Sequence, residues 1–169
     1  HATVNWKKLS AELIHFDKLY HVVIIPEYKE PVHILRRTLE NLKNQDFPTK
    51  RMLIVLATEA KDAEAEHTSQ QLAHEYTNVF DHILITKHEI VPGEVAGKSS
   101  NMAFAARSTV AYMKKHSIPL TWATVTSCDA DALPHTKYFS ALSYQFLLDN
   151  DREYHFYQGS IMFYNNIWR

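Results

Sequence analysis

The chain has 169 residues, with 18 Lys or Arg, 19 Asp or Glu and a formal net charge of −1 when the histidines are neutral. This length suits one domain with a substantial core, and the balanced charge without a long basic run argues against nucleic acid as a partner. The single cysteine, Cys128, excludes an internal disulfide, and no apolar run reaches the roughly 18 residues of a membrane span.

The predicted elements alternate between helix and strand along the chain. Residues 1–20 predict an N-terminal amphipathic helix, because Trp6, Leu9 and Leu13 recur at approximately helical spacing. The main predicted domain spans residues 21–169. Its β-branched runs predict strands over 21–26, 51–57, 80–86 and 121–127. Its periodic segments predict helices over 32–45, 63–76, 97–115 and 134–148, followed by an extended segment over 153–164.

This alternation predicts an α/β fold with a mostly parallel sheet and helices on both faces. Ligands of such sheets bind beyond the carboxyl ends of the strands. The rule gathers residues 26–31, 57–62 and 128–134 at one edge of the sheet. The segment before the predicted helix over 97–115 can reach the same edge.

Two carboxylates, Asp129 and Asp131, follow the apolar strand in the stretch VTSCDADALP. Alternate residues at a strand end point the same way, so both carboxylates are expected to face one point. A hard divalent cation, Mg²⁺ or Mn²⁺, would remove their repulsion and leave room for water and a diphosphate. The competing interpretation is a solvated cap of the helix predicted to begin at Pro134.

The order strand, Asp-x-Asp, Pro resembles the metal-binding signature of nucleotide-sugar glycosyltransferases with the GT-A fold. The stretch IIPEYKE is similar to the opening signature of family-2 glycosyltransferases, in which the first strand ends in Pro-x-Tyr-Asn-Glu. Pro26, Tyr28 and Glu30 match this signature, and Lys29 stands where Asn is usual. The ordered motifs extend over about residues 20–166.

The resemblance implies a site for each part of a nucleotide sugar. The implied nucleotide-binding residues are Pro26, Tyr28, Glu30, Glu59, Lys98, Asn101 and Asp129. Asp131, helped by Asp129, would hold the metal. Lys98 and Asn101 lie one helical turn apart and would face the diphosphate. The implied acceptor contacts are Gln158, Tyr164 and Asn165.

The implied reaction transfers a sugar, with inversion, from a UDP- or GDP-type donor to a hydroxyl of a glycan or lipid-linked acceptor. Relatives in the membrane-associated glycan-synthase-like branch carry an acidic general base and a Gln-x-x-Arg-Trp segment further along. Neither is found here, so we expect a truncated catalytic domain whose base lies outside this chain. We also expect a cytoplasmic location on the inner face of a membrane, with membrane contact through flanking regions.

Two other classes remain open. The stretch GEVAGKSS resembles the phosphate loop of P-loop nucleotide hydrolases, but three residues separate Gly93 from Gly97 where that loop needs four. The second alternative is a non-catalytic α/β domain that binds a ligand or a partner. Metal-dependent nucleotide binding distinguishes the glycosyltransferase from such a domain.

Overall fold

The computed structural model describes residues 3–95 and 97–159, which form four strands and five α-helices. The strands are Tyr20–Pro26 (β1), Met52–Glu59 (β2), His82–His88 (β3) and Ala123–Ser127 (β4). The helices are Trp6–Ala11 (α1), Val32–Lys43 (α2), Ala63–Glu75 (α3), Lys98–Lys115 (α4) and Tyr138–Leu148 (α5).

The four strands form one parallel sheet in the order β3-β2-β1-β4. Val22 of β1 pairs with Leu53 on one side and Val125 on the other. The chain therefore builds outward from β1 in one direction and then returns to add β4 on the opposite side. In such open sheets, ligands bind at the carboxyl ends of the strands where this direction reverses, here between β1 and β4.

Helices cover both faces of the sheet, as the sequence predicts. Successive residues of β1 and β2 point to opposite faces, so these continuous apolar strands contribute side chains to two hydrophobic clusters. On one face, α2, α3 and α5 contribute Leu39, Leu72 and Phe139 to the core. On the other face, α4 contributes Ala105 and Met113. Within the described residues, no helix is long and apolar enough to cross a membrane.

Two predicted helices differ from the observed ones. The N-terminal helix is shorter than residues 1–20, because α1 ends at Ala11 and His15 adopts a left-handed φ of 70° that an α-helix cannot contain. A single 3-10 turn, Phe16–Lys18, follows. The last helix begins at Tyr138 rather than Pro134.

A buried histidine joins β1, β4 and α5 on the helix-rich face. His21 is fully buried, with Nδ1 2.5 Å from Thr124 Oγ1 and Nε2 3.0 Å from Ser143 Oγ. Burial lowers the pKa of His21 to about 3, and the positive charge of Arg51 acts in the same direction. His21 is therefore neutral at physiological pH and holds three elements together through hydroxyl contacts.

We predict that His21 weakens the fold in acid. The unfolded chain takes up a proton near pH 6.5, whereas folded His21 does so only near pH 3. The free energy of unfolding of wild type minus that of His21→Gln should therefore fall by about 1.4 kcal/mol per pH unit below pH 6.5 and stay constant above it. Urea titrations between pH 4 and 8 measure this difference. The exposed His33→Gln serves as the control, and an equal slope for both variants would refute the prediction.

Candidate functional site

The carbonyl oxygen of Ala57 joins three elements at the carboxyl edge of the sheet. It accepts the backbone N–H of Glu27, at 2.9 Å, and the Nδ2 group of Asn101, at 2.8 Å. Pro26 pairs with Ala57 across the β1–β2 ladder and ends β1, because proline has no N–H to continue it. The loop after β1 and the first turn of α4 are thus fixed to the end of β2.

An aromatic ring and an ion pair lie together beside this junction. Tyr28 is 45% exposed, and the Nζ atom of Lys61 lies 4.5 Å from its ring centroid. The same Nζ atom is 2.7 Å from Oε2 of Glu59, which is only 5% exposed. Two predicted nucleoside contacts, Tyr28 and Glu59, are thereby brought together by a lysine that the sequence analysis did not single out.

The loop after β1 turns through a left-handed residue. Lys29 has φ = 56°, and its backbone N–H donates to Asp62 Oδ2 at 2.7 Å. The other oxygen of Asp62 accepts from the N–H of Ala65 and caps α3. Left-handed positions favour Asn over Lys, which gives a physical reason for the Asn that is usual here in the resembling signature.

Glu27 is a site residue that sequence reasoning missed. Its side chain is buried, and Oε2 accepts a hydrogen bond from Ser69 Oγ at 2.9 Å. Burial raises the pKa of Glu27 to about 7; the Ser69 hydrogen bond opposes this shift, and the charges of Asp62 and Glu30 add to it. Glu30 itself is partly buried in the same loop. The sequence signal for Glu27 was the position of a carboxyl directly after an apolar strand.

The two aspartates lie in a turn rather than on a strand. β4 ends at Ser127, and the N–H of Ala132 donates to Asp129 O at 2.9 Å, which closes a turn over residues 129–132. The expectation that strand geometry aligns Asp129 and Asp131 is therefore wrong, although the turn still holds both residues at the end of β4. Both carboxylates are exposed. The Cys128 N–H, bound to Ile24 O at 3.0 Å, anchors this turn beside β1.

The first turn of α4 faces the same acidic turn. Lys98 Nζ contacts Asp129 Oδ1, and both side chains are more than half exposed. Gly97, the residue before the helix, has φ = 153°, a conformation that side chains rarely adopt. Asn101 is buried at 2% exposure, so it positions the helix through Ala57 instead of facing solvent beside Lys98.

The acidic turn has donors that suit a hard cation. Carboxylate oxygens are the ligands that Mg²⁺ and Mn²⁺ prefer, and Mg²⁺ sites commonly combine one or two carboxylates with water and phosphate oxygens. Among residues 3–95 and 97–159, no three His, Cys, Asp or Glu side chains are grouped to hold a metal. Asp129 and Asp131 therefore fit a metal that shares its remaining positions with a ligand, and not a closed structural site.

The predicted acceptor residues are only partly within the described chain. Gln158 is exposed and lines a cavity of about 380 Å³ beside α5, together with Trp6 and Tyr138. Tyr164 and Asn165 lie outside the described residues. The start of the extended segment predicted over 153–164 has no strand between residues 153 and 159.

Comparisons with known proteins agree with this architecture. No protein-family model and no curated protein matches the chain. Among solved structures, the chain is similar to a mannosyltransferase from Pyrobaculum calidifontis in complex with GDP-Man and Mn²⁺, with 21% identity and a TM-score of 0.52. The match covers 77% of this chain and 32% of that one, so this chain spans about a third of the length of that enzyme. This likeness shows a shared α/β fold.

We predict that Lys29→Asn stabilises the protein. The substitution keeps the N–H that binds Asp62 and relieves the left-handed strain of Lys, so the free energy of unfolding should rise by about 0.5–1 kcal/mol. Lys29→Val, which is β-branched, should lower it by at least about 1 kcal/mol. Urea denaturation measures both variants. Equal stability of the two would contradict the left-handed assignment.

We further predict that Glu27→Gln stabilises the protein at neutral pH. Wild-type Glu27 ionises near pH 4.5 when unfolded and near pH 7 when folded, so it lowers stability progressively as pH rises through this interval. The variant should exceed wild type by an amount that grows from pH 4.5 and levels off above pH 7, on the order of 3 kcal/mol. Thermal and urea unfolding across this range provide the test. The exposed Glu153→Gln serves as the control, and a constant difference for Glu27→Gln would exclude the buried carboxyl as its cause.

Proposed function

We propose that this chain is the donor-binding part of a metal-assisted glycosyltransferase that transfers a sugar from a nucleoside diphosphate to an acceptor hydroxyl. The observation that carries the proposal is the arrangement of the carboxyl edge of the sheet. An aromatic residue beside carboxylates lies at the ends of β1 and β2, and an acidic turn beside a lysine lies at the end of β4. These are complementary to the two ends of a nucleoside diphosphate.

The dimensions of the sheet support this placement. β2 and β4 flank β1, and neighbouring strands are about 4.8 Å apart, so the two ends of the proposed site are about 10 Å apart across β1. A base on Tyr28 would leave the ribose over the end of β1, near Glu30. The diphosphate would then reach Lys98 and the acidic turn.

Each group at the β4 end has a defined electrostatic role. A metal held by Asp129 and Asp131 would act as a Lewis acid on the departing diphosphate. Lys98 supplies a positive charge within reach of the same oxygens, and the first turn of α4 presents backbone N–H groups that favour anions. The positive charge of Lys98 at a helix start is electrostatically unfavourable unless an anion is nearby, here Asp129 or a phosphate.

The similar mannosyltransferase, which holds GDP-Man and Mn²⁺, supports both the donor class and the metal. The finer assignments rest on the sequence motifs. They are that the enzyme belongs to family 2, has the GT-A fold and inverts the anomeric carbon, and that it falls in the membrane-associated branch. They also include a glycan or lipid-linked acceptor and a cytoplasmic position at a membrane. The proposal also places the general base, a carboxylate within hydrogen-bond reach of the acceptor hydroxyl, outside this chain.

Metal-dependent nucleotide binding tests the proposal. In calorimetric titrations with Mn²⁺, UDP or GDP should bind, and replacing Mn²⁺ with EDTA should weaken binding at least about tenfold. In the presence of Mn²⁺, Asp131→Ala should weaken nucleotide binding by a similar factor, because it removes a metal ligand and leaves the Lys98–Asp129 contact in place.

The control is Asp151→Ala, which removes an exposed aspartate after the far end of α5 and should bind like wild type. Nucleotide binding that is equally strong in EDTA would contradict the metal site. The absence of binding by any nucleoside diphosphate would favour a non-catalytic domain.

A further inference from the structure

We infer that the base recognised at the β1–β2 end of this site is guanine, read by Glu59 and Lys61. The inference rests on the proposed function, because it presumes that a nucleoside diphosphate binds there. It adds the identity of the base and the two side chains that select it, one of which, Lys61, no motif indicates.

The first step is the geometry of the Glu59–Lys61 pair. Lys61 Nζ lies 2.7 Å from Glu59 Oε2 and 4.5 Å from the ring centroid of Tyr28, so one ammonium group contacts both the carboxylate and the ring. Tyr28 and Lys61 are both nearly half exposed. A planar base that stacks on Tyr28 would therefore direct one edge at the pair.

The second step is the acceptor capacity of the Glu59 carboxylate. Oε2 is buried from solvent, and the Lys61 ammonium lies 2.7 Å from it. The two oxygens of a carboxylate offer about four lone-pair sites, so this one ion pair leaves sites open for further donors. Buried polar groups ordinarily fill such sites with hydrogen bonds. An N–H group of a ligand is such a donor.

The third step is the order of donors and acceptors. Lys61 Nζ is a donor and Glu59 contributes two acceptor oxygens, so the pair presents donor, acceptor, acceptor in sequence. The Watson–Crick edge of guanine presents the complement: the O6 acceptor, the N1–H donor and the N2 amino donor. Every group finds a partner, and the two bonds to the carboxylate are charge-assisted.

The other bases match this order less well. Uracil has a single donor, N3–H, between two carbonyl oxygens, so one carbonyl would face a carboxylate oxygen. Cytosine and adenine offer an unprotonated ring nitrogen where Glu59 needs an N–H. A site that leaves buried polar groups unpaired discriminates strongly against such ligands.

Titrations of the wild-type protein with GDP, UDP and IDP in Mn²⁺ test the inference without any substitution. GDP should bind at least about tenfold more tightly than UDP. IDP retains O6 and N1–H but lacks the N2 amino group, so it should bind about five- to tenfold more weakly than GDP. UDP binding equal to or tighter than GDP, or equal binding of IDP and GDP, would overturn the guanine assignment.

Two variants test the assigned residues. Glu59→Gln replaces one carboxylate oxygen with an amide donor, so the preference for GDP over UDP should fall to within about threefold. Lys61→Met removes the donor to O6 and should weaken GDP and IDP by the same factor. Glu64→Gln, an exposed glutamate in the first turn of α3, should leave all three affinities unchanged. Circular dichroism melts establish that each variant is folded.

The outcomes separate this inference from the proposed function. Metal-dependent binding of UDP in preference to GDP would retain the glycosyltransferase and refute guanine recognition. A GDP preference that survives Glu59→Gln in a folded protein would refute the role of Glu59. Binding of no nucleotide to the wild type would overturn both proposals together.

Discussion

The parallel direction of the strands is the constraint on which the whole site depends. Because every described strand runs the same way, every strand-to-helix connection of the sheet opens at one edge, and the polar residues that follow each strand collect there. The Ala57 carbonyl then fixes their relative positions by accepting from both Glu27 and Asn101. A shift in the register of β2 would move the β1 loop and the α4 start together.

The negative charges of the carboxylates at this edge are compensated in different ways. Burial keeps Glu27 protonated to about pH 7. Lys61 balances the charge of Glu59, and Lys98 balances the charge of Asp129. Asp62 instead accepts backbone N–H groups from the β1 loop and α3. This division matters because uncompensated like charges would repel one another and open the loop. The lysines that neutralise the acids are also the groups that a nucleotide could use.

Sequence patterns predicted the strands and most helices because these elements depend on local apolar runs and periodicity. They also predicted that Tyr28, Lys98 and Asp129 share an edge, since the parallel topology requires it. They could not predict the left-handed Lys29 or the buried state of Glu27, because both depend on contacts with α3. The expected alignment of Asp129 and Asp131 was based on strand geometry, whereas the chain had already left β4.

The two ends of the proposed site differ in how much of them is formed before a ligand arrives. At the β1–β2 end, Glu59 is buried and the loop is fixed by Asp62 and Ala57. At the β4 end, Lys98 and Asp129 are exposed and contact each other. A cation and a diphosphate would compete for opposite members of that pair, so each would release the group that the other needs. We therefore expect metal and nucleotide to bind cooperatively, and by linkage each should strengthen the other by the same factor.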